Sequence, residues 1–216
     1  GPDYNDRGLA VAIDSSDNII VAGTSISIES ATGTGSMVIW RYNKNGMLDT
    51  TFAGTTGRVI QTLSDYKIIY PYAIAFDASG KIVVVGNATA NTFPGDGDLF
   101  VARYNSNGTL DESFTDGTHL GFSFFDGAIG PRLNESGYSL AFDPSGNILV
   151  GGMAQDSAFI PNMAVYKFTP TGALDTSFGD GTHHGFVVYN STLKAGGADF
   201  GKSIAIDAAG KILVAG

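Results

Sequence analysis

The sequence predicts an all-β chain, a β-propeller whose blades are repeats of about 63 residues with four to five antiparallel strands each. Three observations carry that prediction. First, one hairpin occurs four times: Ala10–Gly23 (AVAIDSSDNIIVAG), Ala73–Gly86 (AIAFDASGKIVVVG), Ser139–Gly152 (SLAFDPSGNILVGG) and Ser203–Gly216 (SIAIDAAGKILVAG). Its turn aspartates, Asp14, Asp77, Asp143 and Asp207, stand 63, 66 and 64 residues apart. Second, another hairpin lies between successive copies, at Met37–Phe52, Leu99–Phe114 and Met163–Phe178. Third, no stretch has a helical period. Tandem four-stranded units are propeller blades, whereas solenoid repeats are usually much shorter. A β-sandwich would not explain why one hairpin recurs.

The first strand of each repeat alternates bulky and small residues, as in Ile74 and Phe76 against Ala73 and Ala75. Period two is a strand, and its two unequal faces suit stacked sheets in which each bulky face fills a shallow one. On this reading Ile13, Phe76, Phe142 and Ile206 are expected to be buried at equivalent places. The turn Asp-x-x-Gly caps its own backbone through Asp and takes a positive φ at Gly; Asp17 replaces that Gly in the first copy. The second strand is an unbroken apolar run (Ile82–Val85, for example), as expected when both faces are covered.

Variable Ser-, Thr- and Gly-rich stretches follow at Thr24–Ser36, Asn87–Asp98 and Met153–Asn162, and are expected to be loops able to carry binding residues. The second hairpin then turns at Asn45-Gly46, Asn107-Gly108 and Thr171-Gly172, and a short apolar strand follows at Val59–Thr62, Phe122–Phe125 and Phe186–Tyr189. The chain is one propeller segment over 1–216, with repeats at 8–70, 71–136, 137–200 and a half repeat at 201–216.

Composition narrows the function. With no cysteine there is no disulfide, thiolate metal site or cysteine nucleophile. Only 12 Lys and Arg face 21 Asp and Glu, for a net charge of −9, so nucleic acid and anionic membranes are poor partners. No apolar run is long enough to insert in a membrane, and no charged-then-apolar leader is expected within these residues. Low charge with abundant Ser, Thr, Asn and Gly suits an extracellular, cell-surface or periplasmic protein.

The Asp-x-x-Gly-[Lys/Asn]-Ile hairpin, followed by [Arg/Lys]-[Tyr/Phe] and Leu-Asp-x-[Ser/Thr]-Phe, resembles the bacterial delta-60 repeat. It is similar, more distantly, to other bacterial propeller repeats. The resemblance spans the chain and implies a propeller in a secreted or cell-surface bacterial protein, usually within a longer repeat array. It implies no activity. Three and a half repeats do not close a ring, so the rest of a longer chain or a second copy is expected to complete it. The longer chain is preferred, because two copies would need one irregular blade.

Candidate chemistry is sparse. His119 and His183 stand in Asp-Gly-Thr-His segments that offer imidazole beside carboxylate, the raw material of a metal or proton-transfer site, yet one period apart. Asp96 and Asp98 could offer oxygens to calcium, but the EF-hand pattern is missing and an acidic turn explains them as well. Otherwise no cofactor is expected. Asp49, Asp111 and Asp175 recur in every repeat and read as turn caps. Arg41, Arg103 and Lys167 recur too; they read either as a ring of cations for an anion or as internal partners of the repeated aspartates, and equal multiplicity favours the second. Tyr66, Tyr70, Tyr72, Phe93 and Phe159, placed in connectors, could stack on sugars or pack the blades. No catalytic residue is assigned. A non-enzymatic scaffold, adhesion or binding module for a glycan or protein is expected. The alternative is a polysaccharide hydrolase or lyase whose acids converge at the channel from several blades.

Overall fold

A computed structural model describes residues 4–27, 34–91, 96–127, 133–189 and 197–216. Among them every regular element is a strand, and no helix is long and apolar enough to cross a membrane. The first blade is β1 (Tyr4–Ile13), β2 (Ile19–Ser27), β3 (Gly35–Tyr42) and β4 (Arg58–Gln61). The second is β5 (Tyr66–Phe76), β6 (Ile82–Ala90), β7 (Gly97–Tyr104) and β8 (Phe122–Phe125). The third is β9 (Glu135–Phe142), β10 (Ile148–Gln155), β11 (Pro161–Phe168) and β12 (Phe186–Tyr189). A two-stranded start of a fourth follows, β13 (Ser203–Ile206) and β14 (Ile212–Ala215). Within each blade every strand pairs antiparallel with the next, and one parallel bridge, Gly35 to Ile68, joins blades one and two. The first strands stand side by side, β1 on β5, β5 on β9 and β9 on β13, which makes them the inner strands of the propeller.

Blades pack by the unequal faces of these inner strands. Phe76 and Ile74 share one apolar core with Ala10 and Ala12 of the blade before, Phe142 and Leu140 share one with Ala73, and Ile204 and Ile206 share one with Ala141. The turns form as their residues dictate: Asp77 Oδ1 accepts the backbone N–H groups of Ser79 (2.8 Å) and Lys81 (3.0 Å), and Gly80 sits at φ 78°. Asp14, Asp143 and Asp207 do the same in their copies, with Asp17 at φ 63° in place of glycine.

Two expectations are corrected. Ile13 is 64% exposed, because the bulky face of blade one has no blade against it, and Phe76, Phe142 and Ile206 are only half-buried, the first two lining the open grooves at the blade junctions. The stretches Thr24–Ser36, Asn87–Asp98 and Met153–Asn162 are not loops throughout. Among the described residues, strands two and three of each blade extend into them, so Asp98 lies on β7 and not in a turn. Two of their polar side chains tie blades together instead: Thr24 Oγ1 donates to the Ile69 carbonyl (2.9 Å) and Asn87 Nδ2 to the Glu135 carbonyl (2.8 Å).

Candidate functional site

The recurring charged residues form a clasp between blades. Arg41 donates from Nε to Asp49 Oδ2 (2.8 Å) and from Nη1 to the Ser106 carbonyl in the next blade (2.9 Å), with its guanidinium 4.7 Å from the Phe52 ring centre. Arg103 repeats this with Asp111 (2.6 Å), the Pro170 carbonyl and Phe114. Lys167 pairs with Asp175 (3.1 Å) and Asp143 (3.4 Å). Phe52 and Phe114, both fully buried, press on the turn of the following blade, where a Cβ on Gly108 would sit 2.8 Å from the Phe52 ring. Burial opposes the charge of Asp111, but Lys81, Ser113 and Arg103 outweigh it and hold the carboxyl well below the usual carboxylate range. Asp49, Asp111 and Asp175 also cap their turns through the N–H groups of Thr51, Ser113 and Ser177. None of the three cations is left for an anionic ligand.

The histidines are held locally. Asp116 Oδ1 accepts the backbone N–H groups of Thr118 and His119 while Oδ2 lies 3.0 Å from His119 Nδ1; Asp180 does the same for Thr182 and His183 (2.8 Å to Nδ1). Each ring also rests on an aromatic of its own blade, Phe124 or Phe186. Grooves at the first two blade junctions, of about 690 and 230 Å³, share equivalent turn residues and are repeat geometry.

One repeat position behaves differently. Each complete blade has a β-bulge in its inner strand, at Leu9, Tyr72 and Tyr138, and the matching residue before β13 is Lys202. The glycine closing each first hairpin permits the bulge. A Cβ on Gly23, Gly86, Gly152 or Gly216 would lie within 2.0 Å of the carbonyl oxygen of Arg7, Tyr70, Ser136 or Phe200 respectively. A bulge re-aims one side chain, and is enriched beside functional sites. Here the backbone is constant while the re-aimed residue varies.

The re-aimed side chains meet across blades. Tyr72 lies 5.5 Å from Tyr138, Tyr70 stacks parallel to Tyr72 at 6.0 Å, and Tyr138 meets Phe200 edge-on at 6.2 Å. Lys202 Nζ sits 3.4 Å from the Tyr138 ring centre and 4.7 Å from that of Phe200. Burial pushes the Tyr72 and Tyr138 hydroxyls up, so both are neutral near pH 7. A row of half-buried rings with one exposed ammonium can stack on and hydrogen-bond a polar, ring-shaped ligand.

Tyr66, Tyr70 and Tyr72 therefore lie on strand β5 and not in a connector. Phe159 is isolated on the β10–β11 hairpin, 67% exposed, and Phe93 lies outside the described residues. Tyr138, Phe200 and Lys202 were not singled out by sequence. The available signal was a glycine ending an apolar strand in every repeat, which marks a bulge.

A second cluster joins Asp96 and Asp98 to Asp126, with one carboxylate oxygen from each lying within 4.8 Å of the others. Burial, then the charges of Asp126 and Asp96, raise the Asp98 carboxyl to about 6, against the Tyr66 hydroxyl that donates to it (2.7 Å). Among the described residues this is the one such group of three, and it includes neither His119 nor His183.

No curated protein matches the sequence. Among solved structures, a protein of unknown function from Dyadobacter fermentans is similar at 10% identity and TM-score 0.47, over 78% of this chain and 48% of that one. A levansucrase point mutant from Bacillus subtilis is similar at 11% identity and TM-score 0.48, over 80% of this chain and 55% of that one. The chain thus spans about half the length of each, and neither likeness bears on chemistry. A family model, the domain of unknown function (DUF5122) beta-propeller, matches residues 15–52, 78–114 and 144–178. Each match runs from the first-hairpin turn to the clasp phenylalanine, Phe52, Phe114 or Phe178, and together they cover just over half the sequence; the chain belongs to the DUF5122 β-propeller family.

Proposed function

We propose that the chain is a non-enzymatic, delta-60-type binding module of a secreted or cell-surface bacterial protein, and that it takes a glycan on the row Tyr70, Tyr72, Tyr138, Phe200 and Lys202. The observation that carries this reading is the bulge: a constant backbone device aims a variable residue, Tyr72 in blade two and Tyr138 in blade three, into one row with Lys202 across adjacent inner strands. A polysaccharide hydrolase with acids from several blades is supported less well. The three carboxylates that converge, Asp96, Asp98 and Asp126, come from one blade. A further blade of the same repeat, from the rest of a longer chain or a second copy, is the natural cover for the bulky face of blade one.

The test is a glycan array probed with the parent chain and Tyr138→Ala. Retention of defined glycans, lost about tenfold or more in Tyr138→Ala at an unchanged melting temperature, supports the reading, since stacking one ring is worth about 0.5–2 kcal/mol. Equal binding by the two proteins removes the row as the site. A blank array for the parent overturns the glycan and leaves a protein ligand as the next candidate.

A further inference from the structure

The acidic cluster on blade two lies apart from the aromatic row and carries a separate inference. Asp98 is the second residue of β7, Asp96 immediately precedes that strand, and Asp126 follows β8. The β7–β8 register pairs Leu99 with Phe125, so Asp98 and Asp126 are the next cross-strand neighbours. Like charges facing one another across a sheet are destabilising. At the same positions blade one has Thr34, Ser36 and Thr62, and blade three has Ile160, Asn162 and Asn190. The repeat has no use for acids there; only blade two concentrates them.

Among the described residues no cation offsets these charges: none of the three is ion-paired with Lys, Arg or His. Asp98 is only 8% exposed, and its Oδ1 is buried with no hydrogen-bond partner. Its Oδ2 accepts from the Tyr66 hydroxyl at 2.7 Å, and that ring is stacked on Phe124 at 4.6 Å, which fixes the carboxylate. An orphaned carboxylate oxygen, held rigidly among two further carboxylates, costs free energy unless a cation fills the gap.

We propose that Asp96, Asp98 and Asp126 form a calcium site. The donors are all hard oxygens, and oxygens up to 4.8 Å apart can share one ion at the ~2.3–2.6 Å of calcium–oxygen bonds, whereas ~2.0–2.1 Å for magnesium demands a tighter set. Three carboxylates leave further coordination positions to water and carbonyl groups, the arrangement of a weak extracellular site with a Kd on the order of 10⁻⁴–10⁻³ M. The proposal does not depend on the glycan reading.

The experiment compares the parent chain, Asp126→Asn and Glu112→Gln, an exposed acid outside the cluster, each in chelator and in millimolar Ca²⁺ or Mg²⁺. Melting temperature and terbium luminescence sensitised by the nearby Tyr66 are the readouts. In chelator Asp126→Asn should melt no lower than the parent, since it removes a repulsion. In Ca²⁺ the parent should rise above it, terbium emission should be displaced by Ca²⁺, and Asp126→Asn should bind at least tenfold more weakly. Glu112→Gln should behave as the parent does. Absence of a Ca²⁺ response in the parent, an equal response in Asp126→Asn, an equal loss in Glu112→Gln, or Mg²⁺ acting as strongly as Ca²⁺ would each overturn the site.

Discussion

Blade two and the two ends of the chain are written in the same repeat but live in different surroundings. Ile74 is 9% exposed, while its counterpart Val11 in blade one is 65% exposed. Strand β6 is buried from Ile82 to Gly86, whereas β14, with nearly the same sequence, alternates half-buried and exposed. The difference is the neighbour. Each blade presents a bulky and a shallow face, and neither is buried until another blade meets it. The hydrophobic driving force of this fold therefore lies between repeats more than within them.

Four substitutions sharpen that contrast. Phe100 is fully buried in the junction of blades one and two, so Phe100→Ala should cost about 3–5 kcal/mol, whereas Val11→Ala should cost under ~0.5 kcal/mol. Denaturant titration of both reads the difference, and similar losses would mean that blade one is covered in solution. Next comes the clasp. Arg103→Met leaves Asp111 buried with Lys81 as its one cation, and should cost about 3 kcal/mol; Lys167→Met, at a more exposed pair, should cost about 1 kcal/mol or less.

Acid should act on the same clasp. Because the Asp111 pKa is lower folded than unfolded, its stabilisation is present above its ordinary value of about 3.9 and is lost as pH falls through and below that value. Asp111→Asn should therefore be less stable than the parent at pH 7, and the gap should shrink by pH 2; a constant gap would mean that the carboxylate charge does not hold the clasp. The smallest effect separates two glycines of positive φ. Gly108→Ala meets the Phe52 ring at 2.8 Å while Gly80→Ala meets nothing, so Gly108→Ala should cost about 1–2 kcal/mol more, measured by thermal melts.

Much of the architecture was legible because turns and strand faces are local. Asp77 and Gly80 form their turn from their own side chain and backbone, and the Phe76/Ala75 alternation names two faces without reference to any partner. The recurrence of Arg103 with Asp111 was enough to suggest a pair. A backbone carbonyl of an adjoining blade was a possible second partner; that it is Pro170 was not legible, because that contact joins residues a full repeat apart. Asp98 looked like part of an acidic turn, since nothing near it in sequence reveals that β8 brings Asp126 alongside.

The sequence by itself determined the repeat, the strand alternation, the tight turns and the stock of polar residues that tie blades together. Tertiary structure alone decided which faces are buried, that Ile13 is not, and that Tyr72, Tyr138 and Lys202 fall into one row. The physical reason is range. A turn or a pleat is settled within a few residues, whereas burial and convergence depend on what another blade places opposite, and a bulge turns one side chain towards partners more than 60 residues away.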